Sequence, residues 1–470
     1  MGIRIPIILG LACLLASLRA VGAESPEQVD LLIRGGTVVS MDGQDSVTEQ
    51  GAVAVRGERI VAVGSDADLA AKYQAKRSLD ASGMVVMPGL INAHTHVPMV
   101  LLRGLADDLP LMEWLNQNIF PTEAQNVDDQ FVRWGTRLGC LEMILGGTTT
   151  YVDMYYFEDA IAEETANIGM RGVLGQTVVD FPAPDNKTWP DAMACCEQYV
   201  RKWKKHRLIT PAIAPHALYT VSADHLKETL AFAQRHDIPC LIHLSENQLE
   251  MKQIREQHGV TPVAYLEQLG LLDKHVLAAH LCYANEDDVK MLARRGVGAA
   301  HCPQSNMKMG EAAAPTPQML RAGLAVGLGT DGAASNNDLN MWEEMDTAAK
   351  LHKLATQDPT VLNARQVLEM ATIGGARAIR LDHDIGSLEV GKRADLILVR
   401  MDQPHQTPLY NVYSQLVYAT KASDVETVII NGQVIMENRQ VLTVDESEVL
   451  AKAREYGDQI RKSLSPNKNN

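Results

Sequence analysis

The sequence predicts an α/β fold in which a (β/α)8 TIM barrel joins a small β-sandwich domain built from both chain ends. The middle of the chain alternates eight short apolar runs with helical patterns, as parallel barrels do. The two ends carry β-rich segments broken by Gly and Asp turns, "DLLIRGGTVVSMD" near the start and "VETVIINGQVIMENRQV" near the end. With 470 residues, the chain is long enough for one large domain and one smaller one.

The barrel strands are predicted from the apolar runs. Helical stretches lie between them, and one of these, "SADHLKETLAFAQRH", opens with Ser222 before an apolar repeat at helical spacing, which indicates an N-cap. The eight predicted strands are residues 85–92, 148–153, 172–179, 209–214, 239–243, 276–280, 298–301 and 325–330.

This pattern divides the chain into five segments. In chain order they are a signal peptide at residues 1–23, the first half of the β-sandwich at 24–86, the barrel domain at 87–384, the second half of the β-sandwich at 385–445, and a C-terminal helix and tail at 446–470.

The N-terminal segment has the three parts of a secretory signal. Arg4 precedes an apolar stretch over residues 5–18, and the small residues Val21 and Ala23 come just before Glu24. This pattern predicts cleavage after Ala23 and an exported protein, periplasmic or secreted. The apolar stretch is short for a transmembrane helix, so we expect no stable membrane insertion after cleavage. A retained N-terminal anchor is the alternative.

The charge of the chain limits the classes of partner that it can bind. The formal net charge is −15, and the acidic residues are scattered rather than clustered. Because nucleic-acid binding needs clustered Lys and Arg, this distribution argues against a nucleic-acid partner. We expect a small-molecule partner, and the sequence leaves a homo-oligomer open.

Polar residues stand where the predicted barrel strands end. His94 and His96 follow the first strand, His243 ends the fifth, and Asp331 follows the eighth. Side chains two apart on a strand face the same way, so His94 and His96 can both point into the mouth of the barrel. Three imidazoles and one carboxylate predict one divalent metal per chain, with Zn²⁺ favoured and Fe²⁺ or Mn²⁺ as alternatives.

Neighbouring residues supply the proton transfers that a hydrolase needs. Such a metal makes hydroxide available near neutral pH, and Asp331 can accept the proton that the water loses. Glu246, three residues after His243, is predicted to carry a proton to a ring nitrogen of the substrate; the alternative is a solvated loop residue. His280, at the end of the sixth strand, is predicted to orient the attacking hydroxide, with a satisfied core histidine as its alternative.

Two further histidines lie at strand ends. His216, in "APHALYT" after the fourth strand, and His301, which ends the seventh, are predicted to contact the substrate. Pro303 forces a turn after His301, so a role in holding the rim loop is equally open for His301.

With these residues in place, the chain resembles the amidohydrolase superfamily and, more narrowly, the 5-methylthioadenosine/S-adenosylhomocysteine deaminases. The resemblance is carried by the segments "PGLINAHTHVPMVLLRGLADDLPLMEWLNQNIFPTEA", "VDMYYF", "PHALYT", "IHLSEN", "AAH", "PQSNMKMG" and "GTDGAASNNDLNMWEEM". It implies the barrel fold, the ligands and the proton-transfer groups named above. The fourth-strand segment "LITPAIAPHALYT" has no lysine, which argues against the two-metal relatives, whose bridging lysine comes from that strand.

The same resemblance implies two contacts to a nucleoside. It places Glu123, in "FPTEA", at the ribose hydroxyls, and Trp114, in "MEWL", against the nucleoside. A carboxylate can accept hydrogen bonds from both hydroxyls of a diol, and a flat indole can cover a purine. A helix-start acid and a core tryptophan are the alternatives.

The expected reaction is hydrolytic deamination. Hydroxide attacks the amino-bearing carbon of a purine nucleoside such as 5′-methylthioadenosine or adenosine, and ammonia leaves. S-adenosylhomocysteine is less expected, because Gln176 stands where the resemblance leads us to expect an arginine for its carboxylate. The export signal is a second departure, since such nucleosides arise in the cytoplasm. The alternatives are deamination or dechlorination of another heterocycle, of the 8-oxoguanine or s-triazine type, and a nucleoside-binding protein without catalysis.

Overall fold

The computed structural model describes residues 2, 25–44 and 46–464. Apart from residue 2, the predicted signal peptide lies outside the described residues, as does the end of the predicted tail. Within the described ranges, no helix combines the length and the apolar composition that a bilayer span requires.

The N-terminal part of the chain is mainly extended. Its first two strands are mostly exposed where they begin and mostly buried further along. The elements are β1 (Glu27–Val39), β2 (Val47–Arg56), β3 (Arg59–Ser65), helix α1 (Asp66–Lys72), β4 (Tyr73–Asp80) and β5 (Met84–Pro88).

The middle of the chain forms an eight-stranded sheet in which all the paired strands are parallel and follow chain order. Its strands are buried along their lengths, as expected for a sheet covered on both faces. They are β6 (Leu90–Thr95), β7 (Thr148–Tyr155), β8 (Arg171–Val178), β9 (Ile209–Pro215), β10 (Cys240–Leu244), β11 (Val276–His280), β12 (Gly298–His301) and β13 (Ala325–Leu328).

Helices follow these strands. Several begin at a side-chain cap; Asp128 accepts from the Phe131 amide, and Asn285 forms a capping box with Asp288. Ser222 is the N-cap residue predicted for its helix, although its side chain makes no capping bond. The helices are α2 (Leu111–Glu113), α3 (Phe120–Asn126), α4 (Asp129–Leu145), α5 (Glu158–Ile168), α6 (Trp189–Trp203), α7 (Ala223–His236), α8 (Gln248–His258), α9 (Pro262–Gln268), α10 (Glu286–Arg295), α11 (Pro303–Lys308), α12 (Thr316–Arg321), α13 (Met341–Thr356), α14 (Ala364–Met370) and α15 (Ile373–Ala378).

Two short irregular helices precede α4 and bear on the site. A 3₁₀ helix, Val97–Leu102, follows β6, and a π-helix, Trp114–Ile119, joins α2 to α3. We call residues 111–126, which comprise α2, the π-helix and α3, the rim segment.

The C-terminal part returns to extended structure and ends in a helix. Its elements are β14 (Leu396–Arg400), a 3₁₀ turn Pro404–Gln406, α16 (Val412–Tyr418), a 3₁₀ turn Ala422–Asp424, β15 (Val425–Ile430), β16 (Gln433–Glu437), β17 (Gln440–Val441) and α17 (Glu446–Leu464). Helix α17 packs on α4 of the barrel, where the rings of Tyr456 and Phe131 lie 5.8 Å apart.

The small domain is one mixed sheet made from both chain ends. Its order is β17-β16-β15-β14-β5-β1-β2-β3, and β4 pairs with β1. Strand β5 joins the halves, because it pairs in parallel with β1 and antiparallel with β14. The predicted fold class, a parallel barrel with a small β-domain from both ends, is confirmed.

The first predicted barrel strand, residues 85–92, is wrong as a single element. It divides at Gly89 into β5, which belongs to the small sheet, and β6, which opens the barrel. A Cβ at Gly89 would lie 2.1 Å from the side chain of Thr149, so the turn between the two sheets needs glycine. The predicted domain boundary after residue 86 therefore falls inside β5, and the small sheet extends to Pro88. The other seven predicted strands start and end within two residues of the observed ones.

The barrel is closed by side chains at the seam between β13 and β6. The side chain of Asn92 donates from Nδ2 to Thr330 Oγ1 at 2.7 Å, and its Oδ1 accepts from the backbone N–H of Thr330 at 3.0 Å. One step further, the Asp331 amide donates to the carbonyl of His94 at 2.9 Å. Small residues such as Ala93 and Ala214 fill the interior. The closure brings the first and last strand ends together at the mouth of the barrel.

Candidate active site

The candidate metal ligands leave the barrel at the carboxyl ends of their strands. His94 lies on β6, His96 directly after it, His243 on β10, and Asp331 three residues after β13. Asp331 has a φ of +62°, a backbone conformation that residues other than glycine rarely adopt. Backbone of this kind is concentrated at functional sites, and here it turns the carboxylate into the barrel mouth.

These four side chains meet in a tight cluster. The Asp331 Oδ1 atom lies 3.2 Å from His96 Nε2 and 3.6 Å from His94 Nε2. The Nε2 atoms of His96 and His243 are 3.3 Å apart. The structure therefore brings together all four residues that were predicted as ligands.

Hydrogen bonds behind the cluster fix which ring nitrogen faces inward. His96 Nδ1 lies 2.7 Å from the carbonyl of Met154, and His243 Nδ1 lies 2.9 Å from the carbonyl of His216. A carbonyl can only accept, so each Nδ1 carries a hydrogen and each Nε2 is the ring nitrogen that faces the centre. His94 Nε2 is buried with no hydrogen-bond partner among the described residues.

The electrostatics of the cluster fit a cation. Burial, with the charge of neighbouring histidines, holds the pKa of His94 and of His243 well below the usual range, so both are neutral, the form that binds metals. Burial also opposes protonation of His96, but the hydrogen bond and charge of Asp331 outweigh it and raise the pKa of His96 to about 9. Converging nitrogen lone pairs beside one carboxylate are the donor set of a divalent transition metal.

Two serines hold the carboxylate of Asp331. Ser305 Oγ donates to Asp331 Oδ2 at 2.6 Å, and Ser335 Oγ donates to the same oxygen at 2.9 Å. The Gly332 amide donates to Oδ1 at 2.7 Å. The carboxylate is thus fixed with Oδ1 towards the histidines.

Glu246 and His280 lie beside the cluster and face each other. Their closest atoms, Glu246 Oε1 and His280 Nε2, are 3.8 Å apart. His280 Nδ1 lies 2.9 Å from Asn306 Oδ1, while its Nε2 is buried with no hydrogen-bond partner among the described residues. Tyr219 donates a long hydrogen bond, 3.4 Å, to Glu246 Oε2. Burial raises the pKa of Glu246, which favours the protonated form of its carboxyl.

A cavity of about 640 Å³ opens over this cluster. Its wall carries the metal cluster and Glu246 at one end and the rim segment at the other. The lining residues are His96, Met99, Leu111, Trp114, Leu115, Ile119, Phe120, Glu123, Met154, Tyr155, Tyr156, Thr177, His216, Tyr219, His243, Glu246, Ser305, Met309, Asp331 and Ser335.

Glu123 and Trp114 both reach this cavity from the rim segment. Glu123 is 4% exposed, and its Oε1 accepts a hydrogen bond of 2.7 Å from the Tyr155 hydroxyl. Burial raises the pKa of Glu123 to about 7, although the Tyr155 hydrogen bond opposes the shift. The rim segment therefore places a buried carboxylate and an indole in the same cavity as the metal cluster.

The two predicted substrate histidines differ. His216 lines the cavity, with Nδ1 3.1 Å from Thr220 Oγ1, and burial lowers its pKa to about 3. His301 is not among the lining residues; its Nε2 lies 2.9 Å from Nε2 of His352 on α13. The ring of His301 packs against helix α13 behind the strand end, and its predicted substrate contact stays a prediction.

The residues that orient the site were missed in the sequence. They are Ser305, Asn306 and Ser335 at the metal end, and Tyr155 and Tyr219 along the wall. All five fall inside the segments that carry the family resemblance, so their positions were visible. Apart from Ser335, which lies four residues after Asp331, their partners are distant in the chain, and no spacing rule connects them.

The fold and the cluster define a class of protein: a metal-dependent barrel hydrolase with a His-rich centre. The chain belongs to the amidohydrolase family, which matches residues 85–435. A short stretch, residues 51–73, also matches the imidazolonepropionase-like composite domain of bacteria. The chain is a hydrolase of carbon–nitrogen bonds that acts by metal-dependent hydrolytic deamination.

Individual relatives extend this similarity over nearly the whole chain. The 5-methylthioadenosine/S-adenosylhomocysteine deaminase of Syntrophobacter fumaroxidans is 48% identical over 91% of this chain and 97% of its own length. The crystal structure of an adenosine deaminase from Xanthomonas campestris with bound zinc superposes with a TM-score of 0.92 at 40% identity, covering 93% of this chain and 100% of that one. The atrazine chlorohydrolase of Arthrobacter aurescens, complexed with zinc, superposes with a TM-score of 0.84 at 26% identity, covering 91% and 100%.

Proposed function

We propose that this chain deaminates a purine nucleoside with a free ribose diol, such as adenosine or 5′-methylthioadenosine. The observation that carries the proposal is the buried carboxylate of Glu123. It lies in the same cavity as Glu246 and the metal cluster, with the indole of Trp114 beside it in the wall. A heterocycle without a sugar has no diol for this carboxylate to bind. A nucleoside can occupy both ends of the cavity.

Zn²⁺ is the proposed metal, held by His94, His96, His243 and Asp331. Three neutral nitrogen donors and one carboxylate suit zinc, and the similar adenosine deaminase structure contains it. When bound, zinc lowers the pKa of water and supplies hydroxide near neutral pH.

The residues around the cluster move the protons of the reaction. Asp331 Oδ1, the oxygen that faces the histidines, accepts a proton and passes it to the leaving amine. Glu246 donates a proton to the ring nitrogen next to the reacting carbon. His280, oriented by Asn306 with its Nε2 lone pair free, accepts a hydrogen bond from the attacking hydroxide.

Ammonia release from a panel of substrates tests this proposal. Zinc-loaded enzyme should release ammonia from adenosine and 5′-methylthioadenosine with a kcat/KM well above that for 8-oxoguanine or an amino-triazine. The triazine is included because the chlorohydrolase shares this fold. A higher kcat/KM for 8-oxoguanine or the triazine would replace the nucleoside with that heterocycle. Tight binding of adenosine without turnover would indicate a binding protein.

We also propose that the protein is exported, on the basis of the charged, apolar and small-residue pattern in residues 1–23. N-terminal sequencing of the protein from its native host should find a chain that begins near Glu24. An intact Met1 in the cytoplasmic fraction would remove the export proposal and leave the deaminase proposal untouched.

A further inference from the structure

The wall of the active-site cavity is acidic and apolar. Its acidic side chains are those of Glu123, Glu246 and Asp331, and within the described part of the chain no Lys or Arg lines it. Much of the remaining wall is apolar, including Met99, Met154, Met309, Leu111, Ile119 and Phe120. A substrate group that enters this cavity meets carboxylates and hydrocarbon.

The histidines of the wall do not supply a counter-charge for the substrate. His96 and His243 belong to the metal cluster, and His96 is already paired with Asp331. His216 is the remaining histidine of the wall, and its Nδ1 already lies 3.1 Å from Thr220 Oγ1.

The hydrogen-bond donors of two polar side chains next to the wall already have partners within the protein. Lys308 precedes the wall residue Met309 in sequence, and its ammonium forms a 2.6 Å ion pair with Asp107 and a hydrogen bond with Asn337. Gln176, which precedes the wall residue Thr177, donates from Nε2 to Asp185 Oδ2 at 2.8 Å and to the Thr177 carbonyl at 3.1 Å. Either side chain would have to give up these partners to bind a substrate anion.

The two nucleosides in the name of the similar Syntrophobacter fumaroxidans enzyme differ in charge at the 5′ position. 5′-Methylthioadenosine ends in a methyl thioether, which apolar and thioether side chains accommodate. S-adenosylhomocysteine ends in a zwitterionic amino acid. Its ammonium can pair with acidic side chains, but its carboxylate loses its water on entering the cavity and meets no Lys or Arg in the wall. Burial of a carboxylate without a cationic partner is costly.

We propose that this enzyme is selective for nucleosides with an uncharged 5′ group, a hydroxyl or an alkyl thioether, and discriminates against those whose 5′ group carries a carboxylate or a phosphate. The selectivity arises from the acidic and apolar wall, and it rests on the proposed nucleoside deamination. It divides the two substrates of the relative's name: the thioether nucleoside is accepted and the amino-acid nucleoside is not.

Steady-state ammonia release by the metal-loaded enzyme tests the selectivity. We expect kcat/KM for adenosine and 5′-methylthioadenosine to exceed that for S-adenosylhomocysteine and adenosine 5′-monophosphate by roughly a hundredfold, a common consequence of an unpaired buried charge. Equal kcat/KM for S-adenosylhomocysteine and 5′-methylthioadenosine would overturn the selectivity and leave nucleoside deamination standing. If the enzyme releases ammonia from none of the four substrates, both the selectivity and the proposed nucleoside deamination are overturned.

A charge placed in the wall gives a second test. Thr177 is buried, lines the cavity and stands near the end of β8. Thr177→Arg should raise kcat/KM for S-adenosylhomocysteine relative to 5′-methylthioadenosine by roughly tenfold, the scale of one charge-assisted hydrogen bond. Thr177→Met, of similar length without charge, is the matched control and should not change the ratio. Equal ratios in the two variants would show that charge in the wall does not set the selectivity. Metal content and adenosine turnover report whether each variant folds.

Discussion

The two ends of the cavity are built in different ways. At the metal end, every ligand comes from the end of a barrel strand, and hydrogen bonds from the barrel or its loops fix His96, His243 and Asp331. At the other end, Glu123 and Trp114 come from the rim segment, which is inserted between β6 and α4. A hydrogen bond from Tyr155 on β7 ties Glu123 to the barrel.

Under the proposed function, this difference separates the residues that carry out the chemistry from those that select the substrate. Strand ends in a closed barrel hold side chains rigidly, as metal and proton-transfer groups require. An inserted segment can change its sequence without disturbing the strands. The similar structures fit this view, because an adenosine deaminase and an atrazine chlorohydrolase share the barrel at 40% and 26% identity to this chain.

The largest effect is expected from breaking the metal end. His243→Ala removes one nitrogen donor, so purified protein should lose its metal together with its activity. The loss of affinity should exceed the roughly 10–100-fold that removal of a residue orienting a ligand costs. Elemental analysis checks this against His225→Ala, a control in which the lost histidine pairs with Asp180 at the surface. Full metal content in His243→Ala would contradict the ligand set.

The next effect separates proton transfer from metal binding. Glu246→Gln keeps the shape of the side chain but cannot carry a proton, so kcat should fall by on the order of 10²–10⁴ while the metal stays bound. The exposed Glu256→Gln on α8 is the control for the same chemical change. Near-normal turnover of Glu246→Gln would mean that another group moves the proton.

A smaller effect is expected at the other end of the cavity. Glu123→Gln should raise KM for adenosine while leaving adenine unaffected, because only the nucleoside has a diol. Hydrogen bonds to a charged acceptor contribute about 1.5–3 kcal/mol, so the ratio of kcat/KM for the two substrates should change by about tenfold or more. If Glu123→Gln affects adenosine and adenine equally, the residue lies outside the ribose site.

The smallest effect concerns pH. Burial raises the pKa of Glu123 to about 7, so the carboxylate form is lost as pH falls through 7, and KM for adenosine should rise there by about fivefold, the scale of one hydrogen bond. The Tyr155 hydrogen bond lowers this pKa, so Tyr155→Phe should move the rise in KM to higher pH. Initial rates with adenosine and with adenine across pH 5–9 give KM as a function of pH and test this prediction. A pH profile of KM that is the same for both substrates would exclude Glu123 as its source.

The metal end could be predicted from sequence because its signals are local. An apolar run that ends in histidine or aspartate predicts both a strand and a polar group at the barrel mouth, and this pattern selected His94, His96, His243 and Asp331, which the structure brings together. His301 also ends a buried strand but contacts His352, fifty-one positions away. Burial and strand position do not distinguish His301 from the histidines of the cluster. The difference is that His301 contacts the neighbouring helix α13.

The other differences between prediction and structure have the same cause, because they depend on contacts that form only in the folded chain. The strands β5 and β6 read as one apolar run because only Gly89 separates them, and the close contact of Gly89 with Thr149 arises in the folded chain. Tyr155, the partner of Glu123, comes from β7, and Ser305, a partner of Asp331, comes from α11. The residues of the rim segment were placed by resemblance, since a glutamate and a tryptophan in short helices carry no signal of their own.

The central claim is that one cavity holds the reacting ring at the metal end and the ribose diol at Glu123. The most direct measurement compares kcat/KM for adenosine and 2′,3′-dideoxyadenosine, which have the same ring and the same leaving amine. Loss of both hydroxyls should lower kcat/KM by roughly ten- to a hundredfold in the unmodified enzyme, and by much less in Glu123→Gln. Equal kcat/KM for the two nucleosides in the unmodified enzyme would contradict the claim.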